Sequence, residues 1–370
     1  MNKGRVVLHM AKGKSMDFWI IGPVFDIIIF QITGLLCLLL IIPYKIWGAA
    51  SVIPIYNFYL IFFGMPHNFL TWAHILPKNI RSSLNIKLIK NSALACFALC
   101  ALIPWVRGLI IENWILSLIT YASLWHAYRQ HHGICKVYDA IQAQRTSDMT
   151  IFNDRKYLNI FLGLALHTVL VWAFTHSKIP FLLSSDAMYE LVYVQVPWVI
   201  FKIYILITLI FGALALKQSV YDRIKNKKYV PWPQIGLIFS ALLTYIIPYI
   251  FIPLEAIPVS VAIGTIFHNI QYIAFVYVAE KHRAHELVDK GASLHPWQRF
   301  ISLGKYKTYL AISLAYSFFI IALYMIMPTN FALVMIYFVA LAHYIIDGHI
   351  WKRENNTMMS PIIRRLAFRN

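Results

Sequence analysis

Ten apolar stretches of membrane-crossing length recur along the chain, and they constrain its fold more than any other feature. They run approximately over Phe18–Ile42, Ser51–Ile75, Ser92–Val106, Asn113–His132, Leu158–Thr175, Pro197–Leu216, Gln234–Leu254, Ile257–Glu280, Tyr309–Pro328 and Phe331–Trp351. A helix needs about 20 mainly apolar residues to cross a bilayer. Inside lipid, only helices and closed barrels satisfy their own backbone hydrogen bonds. The expected fold class is therefore all-α: a polytopic integral membrane helical bundle of about ten transmembrane helices. The third run is short, and a start nearer Ile86 is left open. Composition agrees: of 370 residues, 60% are hydrophobic and 13% charged, against about 45–50% and about 25% in soluble domains. That apolar content excludes disorder. Four cysteines in such a length exclude a disulfide scaffold. Cys37, Cys96 and Cys100 are expected to pack as small apolar residues. No repeat or soluble domain is evident, so one membrane domain is expected over 1–370, with basic tails at 1–17 and 352–370. The first run is too long for a signal-peptide core and is expected to remain as helix.

Charge gives the orientation. Lys and Arg number 33 against 15 Asp and Glu, a net charge of +18. With the N-terminal tail in the cytoplasm, 29 of the 33 fall on alternate, inner segments, leaving only Lys45, Arg107, Lys178 and Lys202 outside. Cytoplasmic loops are enriched in Lys and Arg, so both termini are expected in the cytoplasm. The +18 then records topology and contact with anionic membrane lipids, and no nucleic-acid partner is expected. The segment 176–200, with Asp186 and Glu190, is expected to be an outer loop holding a short amphipathic helix. A multi-pass protein of a bacterial inner (cytoplasmic) membrane is the expected location.

The histidines follow the same geometry. Ten of fourteen lie on the second, fourth, eighth and tenth runs or just past their inner ends: His67, His74, His126, His131, His132, His268, His282, His285, His343 and His349. His67, His126, His268 and His343 precede the next basic residue used as a depth marker (Lys78, Lys136, Lys281 and Lys352) by 11, 10, 13 and 9 residues, a common depth of about 13–20 Å at the helical rise. The other six form a shallower set. Ionisable residues within spans are rare and default to function, and neutral imidazole is the commonest metal ligand. All ten are candidate metal ligands. Asp347, four residues after His343, and Asp26, beside Gly22 and Pro23, are candidate catalytic acids. Asp347, Asp26, Asn68 and Gln130 are candidate partners that fix ligand tautomers. Nitrogen-rich sites suit iron, copper, zinc or nickel; one or two iron ions are expected, with haem or another transition metal as alternatives. His167 and His176 are expected to be interhelical hydrogen-bonders, and His9 and His295 solvated loop residues.

Two resemblances arise from these residues. His126-x4-His131-His132, His282-x2-His285 and His67-x6-His74 resemble, in style, the histidine boxes of membrane desaturases and hydroxylases. The deep set His67, His126, His268 and His343, with the segment from His343 to Lys352, resembles the Brp/Blh-type bacterial β-carotene dioxygenases. Both resemblances imply a membrane-embedded, histidine-ligated non-haem iron oxidoreductase. It would use O2 to hydroxylate, desaturate or cleave an apolar lipid or isoprenoid substrate entering from the cytoplasmic leaflet, with a cytoplasmic electron donor where electrons are needed. A haem- or quinone-binding redox protein and a metal or proton transporter remain alternatives. A transporter would also place polar ligands in its outer half, which here is nearly bare.

Overall fold

In a computed structural model of the chain, the described residues are 19–350 except 78–85, 107–108, 147–150, 152–154, 177, 185–186, 193–194, 305 and 328. The basic tails and His9 lie outside them. The architecture is a helical membrane bundle with one two-stranded hairpin. Seven helices among the described residues are long and apolar enough to cross a bilayer. One of these is a 52-residue run, Pro23–His74, which at about 1.5 Å per residue would far exceed a hydrocarbon core of about 30 Å. It breaks at Gly48, whose φ of 55° ends the first helix; glycine adopts this conformation without steric cost. The run therefore divides into α1 (23–47) and α2 (52–74), each with an internal π-helical turn.

The chain continues through α3 (Ile86–Ala101), α4 (Ile110–Thr146) and α5 (Lys156–Ala173). After a hairpin come α6 (Trp198–Leu216), α7 (Trp232–Phe251) and α8 (Ile257–Asp289). The short α9 (Pro296–Ser302) precedes α10 (Tyr306–Ile326) and α11 (Thr329–Ile350). The third run is indeed helical from Ile86. Where a short amphipathic helix was expected, β1 (Lys178–Ser184) pairs antiparallel with β2 (Ala187–Val192), Phe181 opposite Tyr189. Helices α4 and α8 outrun their apolar segments: 37 and 33 residues make them about 55 and 50 Å long at the helical rise. Much of the hydrophilic sequence after each run is thus helical continuation rather than loop. His295 is not a free loop residue either. Its Nδ1 accepts from Trp297 N at 3.3 Å while Gln298 Oε1 accepts from His295 N, capping α9 as a reciprocal box.

Helix α8 is the axle. In its most apolar window 83% of residues are buried, against 17–44% in the other candidate spans. A helix apolar all round belongs in a bundle interior. By contrast α6 exposes Ile203, Leu206, Leu209 and Ile210, a lipid-facing surface. Small residues allow close helix contacts: a Cβ on Gly34 of α1 would stand 2.8 Å from Thr244 Oγ1 of α7. Buried Arg155 ties α4 to α7, donating to Asp139 at 2.8 Å and also to Gln142 and Gln234.

Candidate metal centre

Four helices each carry a histidine followed four residues later by a polar side chain: His67 and Thr71 on α2, His126 and Gln130 on α4, His268 and Tyr272 on α8, His343 and Asp347 on α11. Residues four apart share a helix face, so helices running in the same direction can stack two polar layers. The histidine layer comes first. His67 Nε2 lies 3.1 Å from His343 Nε2. Ring centroids are 4.9 Å apart for His67 and His343, 5.9 Å for His67 and His126, and 5.0 Å for His126 and His343. His268 packs its ring 5.1 Å from His67 and 5.0 Å from His126.

The next layer aims a carboxylate at the first. Tyr272 Oη donates to Asp347 Oδ1 at 2.7 Å and Thr71 Oγ1 donates to the same oxygen at 3.0 Å, the two hydroxyls being 2.7 Å apart. Oδ2 is left facing His126 Nε2 at 3.5 Å and His67 Nε2 at 3.9 Å. Gln130 does not join this layer; its Nε2 donates to the His268 carbonyl at 2.8 Å and ties α4 to α8.

His67, His126, His343 and Asp347 each offer a ligand atom, and these atoms lie within 4.8 Å of one another, all four residues buried. This group could hold a metal ion. Ligands about 2.1 Å from an ion sit roughly 3.0–3.4 Å apart in octahedral or tetrahedral arrangements; His67–His343 and His126–Asp347, at 3.1 and 3.5 Å, are close to this, and His67–Asp347, at 3.9 Å, is wider. Asp347 Oδ2 and His126 Nε2, 3.5 Å apart, are both buried without hydrogen-bond partners. Buried polar atoms are usually satisfied, so orphans converging on one point fit a cation there. Two aromatic rings brace the ligands: Tyr344 stacks on His126 at 4.7 Å, and Tyr272 lies 4.0 Å from His67.

The remaining candidates lie elsewhere. His74 Nδ1 is 2.5 Å from Glu280 Oε1. His131 bonds the Ala127 carbonyl at 2.8 Å and stacks 6.1 Å from His268, just outside the ligand group. His132 packs on Tyr128. His282, His285 and His349 are half-buried near the ends of α8 and α11. Among the described residues, this shallower set forms no second cluster of three or more ligand types. Asp26 accepts from Ile20 N, Ile21 N and Gly22 N at 2.7, 3.0 and 3.4 Å and from Tyr138 Oη at 2.8 Å. It anchors the start of α1 to α4 and does not join the ligand group. His167 and His176 hydrogen-bond to carbonyls one turn back on their own helix segment, at Gly163 and Trp172, rather than across helices. The hydroxyls of Thr71 and Tyr272 had one signal in sequence, their four-residue offset from a deep histidine.

Above the histidines, on the side away from Asp347, lies a cavity of about 270 Å³, slightly below the usual range of small-molecule sites. All four deep histidines line its floor, and its walls include Tyr56, Tyr59, Tyr249, Trp172, Leu116 and Ile257. Among the described residues, no Asp, Glu, Lys or Arg lines it. Comparison of the chain with protein-family profiles, curated proteins and solved structures finds no match.

Proposed function

We propose that this chain is a membrane-embedded, histidine-ligated non-haem iron oxidoreductase that uses O2 on an uncharged apolar substrate held in the cavity. One observation carries this: three buried histidines, grouped with the Asp347 carboxylate beneath them, line the floor of a cavity that no described Asp, Glu, Lys or Arg borders. His67, His126, His343 and Asp347 would hold the ion, and His268 would border it. Histidine plus carboxylate with open positions is the donor set of non-haem iron oxygenases. The bound iron would supply O2 binding and reduction.

The chain's own residues do the rest. Thr71 and Tyr272 pin one oxygen of Asp347, so that the other is aimed at the ion. Tyr344 fixes the plane of the His126 ring. The apolar walls exclude water and select against charged headgroups, because an unpaired buried charge is costly. Fatty carboxylates and isoprenoid diphosphates are thus poor occupants, and a neutral lipid or isoprenoid is the favoured class. The cavity extends from the histidines towards Ile257, at the end of α8 that loop charge assigns to the outer side. The substrate therefore lies in the outer half, not on the inner-leaflet side expected from histidine depth alone. Haem fits less well. Two axial nitrogens across one iron need about 4 Å, twice a metal–nitrogen bond of about 2.0–2.1 Å, whereas His67 and His343 are 3.1 Å apart.

The test is metal content. Protein purified in detergent is expected to hold about one iron per chain, lost when His67, His126, His268 and His343 are all changed to alanine. Near-zero transition metal in the unaltered protein, after incubation with Fe2+, would overturn the proposal.

A further inference from the structure

The cavity wall carries two hydroxyls that the protein itself leaves without partners. A serine or threonine inside a helix often donates to the carbonyl four residues back. Thr120 does so to the Leu116 carbonyl at 3.0 Å and Thr265 to the Val261 carbonyl at 2.6 Å, and both residues line the cavity. Ser260 of α8 and Tyr245 of α7 line the same cavity. Yet Ser260 Oγ and Tyr245 Oη are buried with no hydrogen-bond partner among the described residues. The two residues are 1% and 7% exposed, so neither hydroxyl reaches the surface of the bundle. A buried donor left unpaired is costly, and a pure hydrocarbon in the cavity would leave both in that state.

Position ties the two together. The Tyr245 ring lies against Gly264 of α8, where a Cβ would stand 3.0 Å from Tyr245 Cε1. Ser260 is four residues before Gly264, on the same face of α8. Both hydroxyls thus belong to one stretch of wall, where α7 meets α8. His268, on the cavity floor, is four residues past Gly264 and eight past Ser260. At the helical rise that stretch is about 6–12 Å from the level of the metal centre. Asn269 Nδ2 is a third unpartnered donor in the cavity, but it adjoins His268 and stands at the metal's own level.

We propose that Tyr245 and Ser260 form a subsite that recognises one neutral oxygen, a hydroxyl or a carbonyl, on the otherwise apolar substrate. This rests on the iron-oxygenase function proposed above and deepens it by narrowing the substrate class to oxygen-bearing neutral lipids or isoprenoids. The phenol and the serine hydroxyl donate to that oxygen, and a site built around such bonds rejects an analogue that cannot make them. A carboxylate or phosphate is a poor occupant, because no described Lys or Arg borders the cavity to offset its charge. The subsite stands apart from the metal centre along α8. The oxygen it holds therefore sets which carbon of the substrate reaches the histidines, and that carbon is remote from the oxygen-bearing one.

The test measures binding to the full chain in detergent. The probes are tritiated farnesene and farnesol, which share one isoprenoid skeleton and differ in a hydroxyl. The quantity read is the farnesol-to-farnesene affinity ratio, corrected for the partition of each probe into protein-free micelles, with iron content measured on the same samples. The unaltered chain is expected to prefer farnesol about tenfold or more, as two neutral hydrogen bonds would give. Tyr245→Phe and Ser260→Ala each remove one such bond and should lower the ratio about three- to tenfold at unchanged iron content. Thr120→Val should leave it unchanged, because that hydroxyl already has a partner on its own helix. A corrected ratio near one in the unaltered chain overturns the subsite without any variant having to fold. A ratio that stays within twofold of the unaltered chain's in both Tyr245→Phe and Ser260→Ala also overturns it, since another group then holds the oxygen. An unaltered chain that binds no iron, yet keeps a preference sensitive to both variants, overturns the iron centre and leaves the oxygen subsite standing.

Discussion

Removing one hydroxyl at the Asp347 carboxylate tests how the centre is held. Tyr272→Phe deletes the 2.7 Å donor to Oδ1 while keeping the ring that lies 4.0 Å from His67. Thr71 still donates to the same oxygen, so no buried acceptor is orphaned. Losing a partner that orients a ligand typically lowers metal affinity about 10–100-fold, equivalent to about 1.4–2.7 kcal/mol. A hydrogen bond to a charged group contributes about 1.5–3 kcal/mol, so the two magnitudes agree. Thr71→Val should have a smaller effect, because its bond is longer, at 3.0 Å. The double variant should lose more than the sum, with a coupling of about 0.5–3 kcal/mol, since only then is the carboxylate free to turn. Fe2+ or Zn2+ affinity measured by competition with a chelating dye reads these changes directly. Asp347→Asn, which removes the ligand oxygen itself, should bind more weakly than either single variant. Affinity for Tyr272→Phe within twofold of the unaltered chain, or strict additivity in the double variant, would refute the claim that these hydroxyls aim Asp347.

Three further outcomes follow from the packing. Arg155→Met leaves buried Asp139 with Lys136, 3.6 Å from its Oδ2, as its remaining cation and should cost about 3 kcal/mol, the low end for a broken buried pair, measured as detergent thermal unfolding; the Asp139→Asn, Arg155→Gln double variant should recover part of it. Gly34→Val forces a side chain against Ser240 and Thr244 and should cost about 1–3 kcal/mol as overpacking, with Gly34→Ala nearer the lower figure. Ile119→Asp places a charge in the cavity wall and should weaken binding of a neutral apolar fluorescent probe about tenfold or more, at unchanged metal content.

The sequence by itself determined the membrane character of the chain and the depth of its histidines. Apolar length reports spans because lipid leaves no alternative to internal hydrogen bonding, and residue number along a helix converts directly into depth. His67, His126, His268 and His343 were legible for that reason, as was Asp347 by its offset from His343. Depth is only one coordinate. Whether a residue faces its counterparts depends on how each helix is rotated and crossed, and that is set by side-chain packing between segments distant in sequence. Only the tertiary structure therefore decided that His131 packs beside His268 without joining the ligand group, that His74 pairs with Glu280 and that Asp26 anchors the first helix to Tyr138. Thr71 and Tyr272 are ordinary residues within their apolar runs. They acquire a role because α2, α8 and α11 bring two hydroxyls to one carboxylate oxygen, a juxtaposition that no single helix encodes.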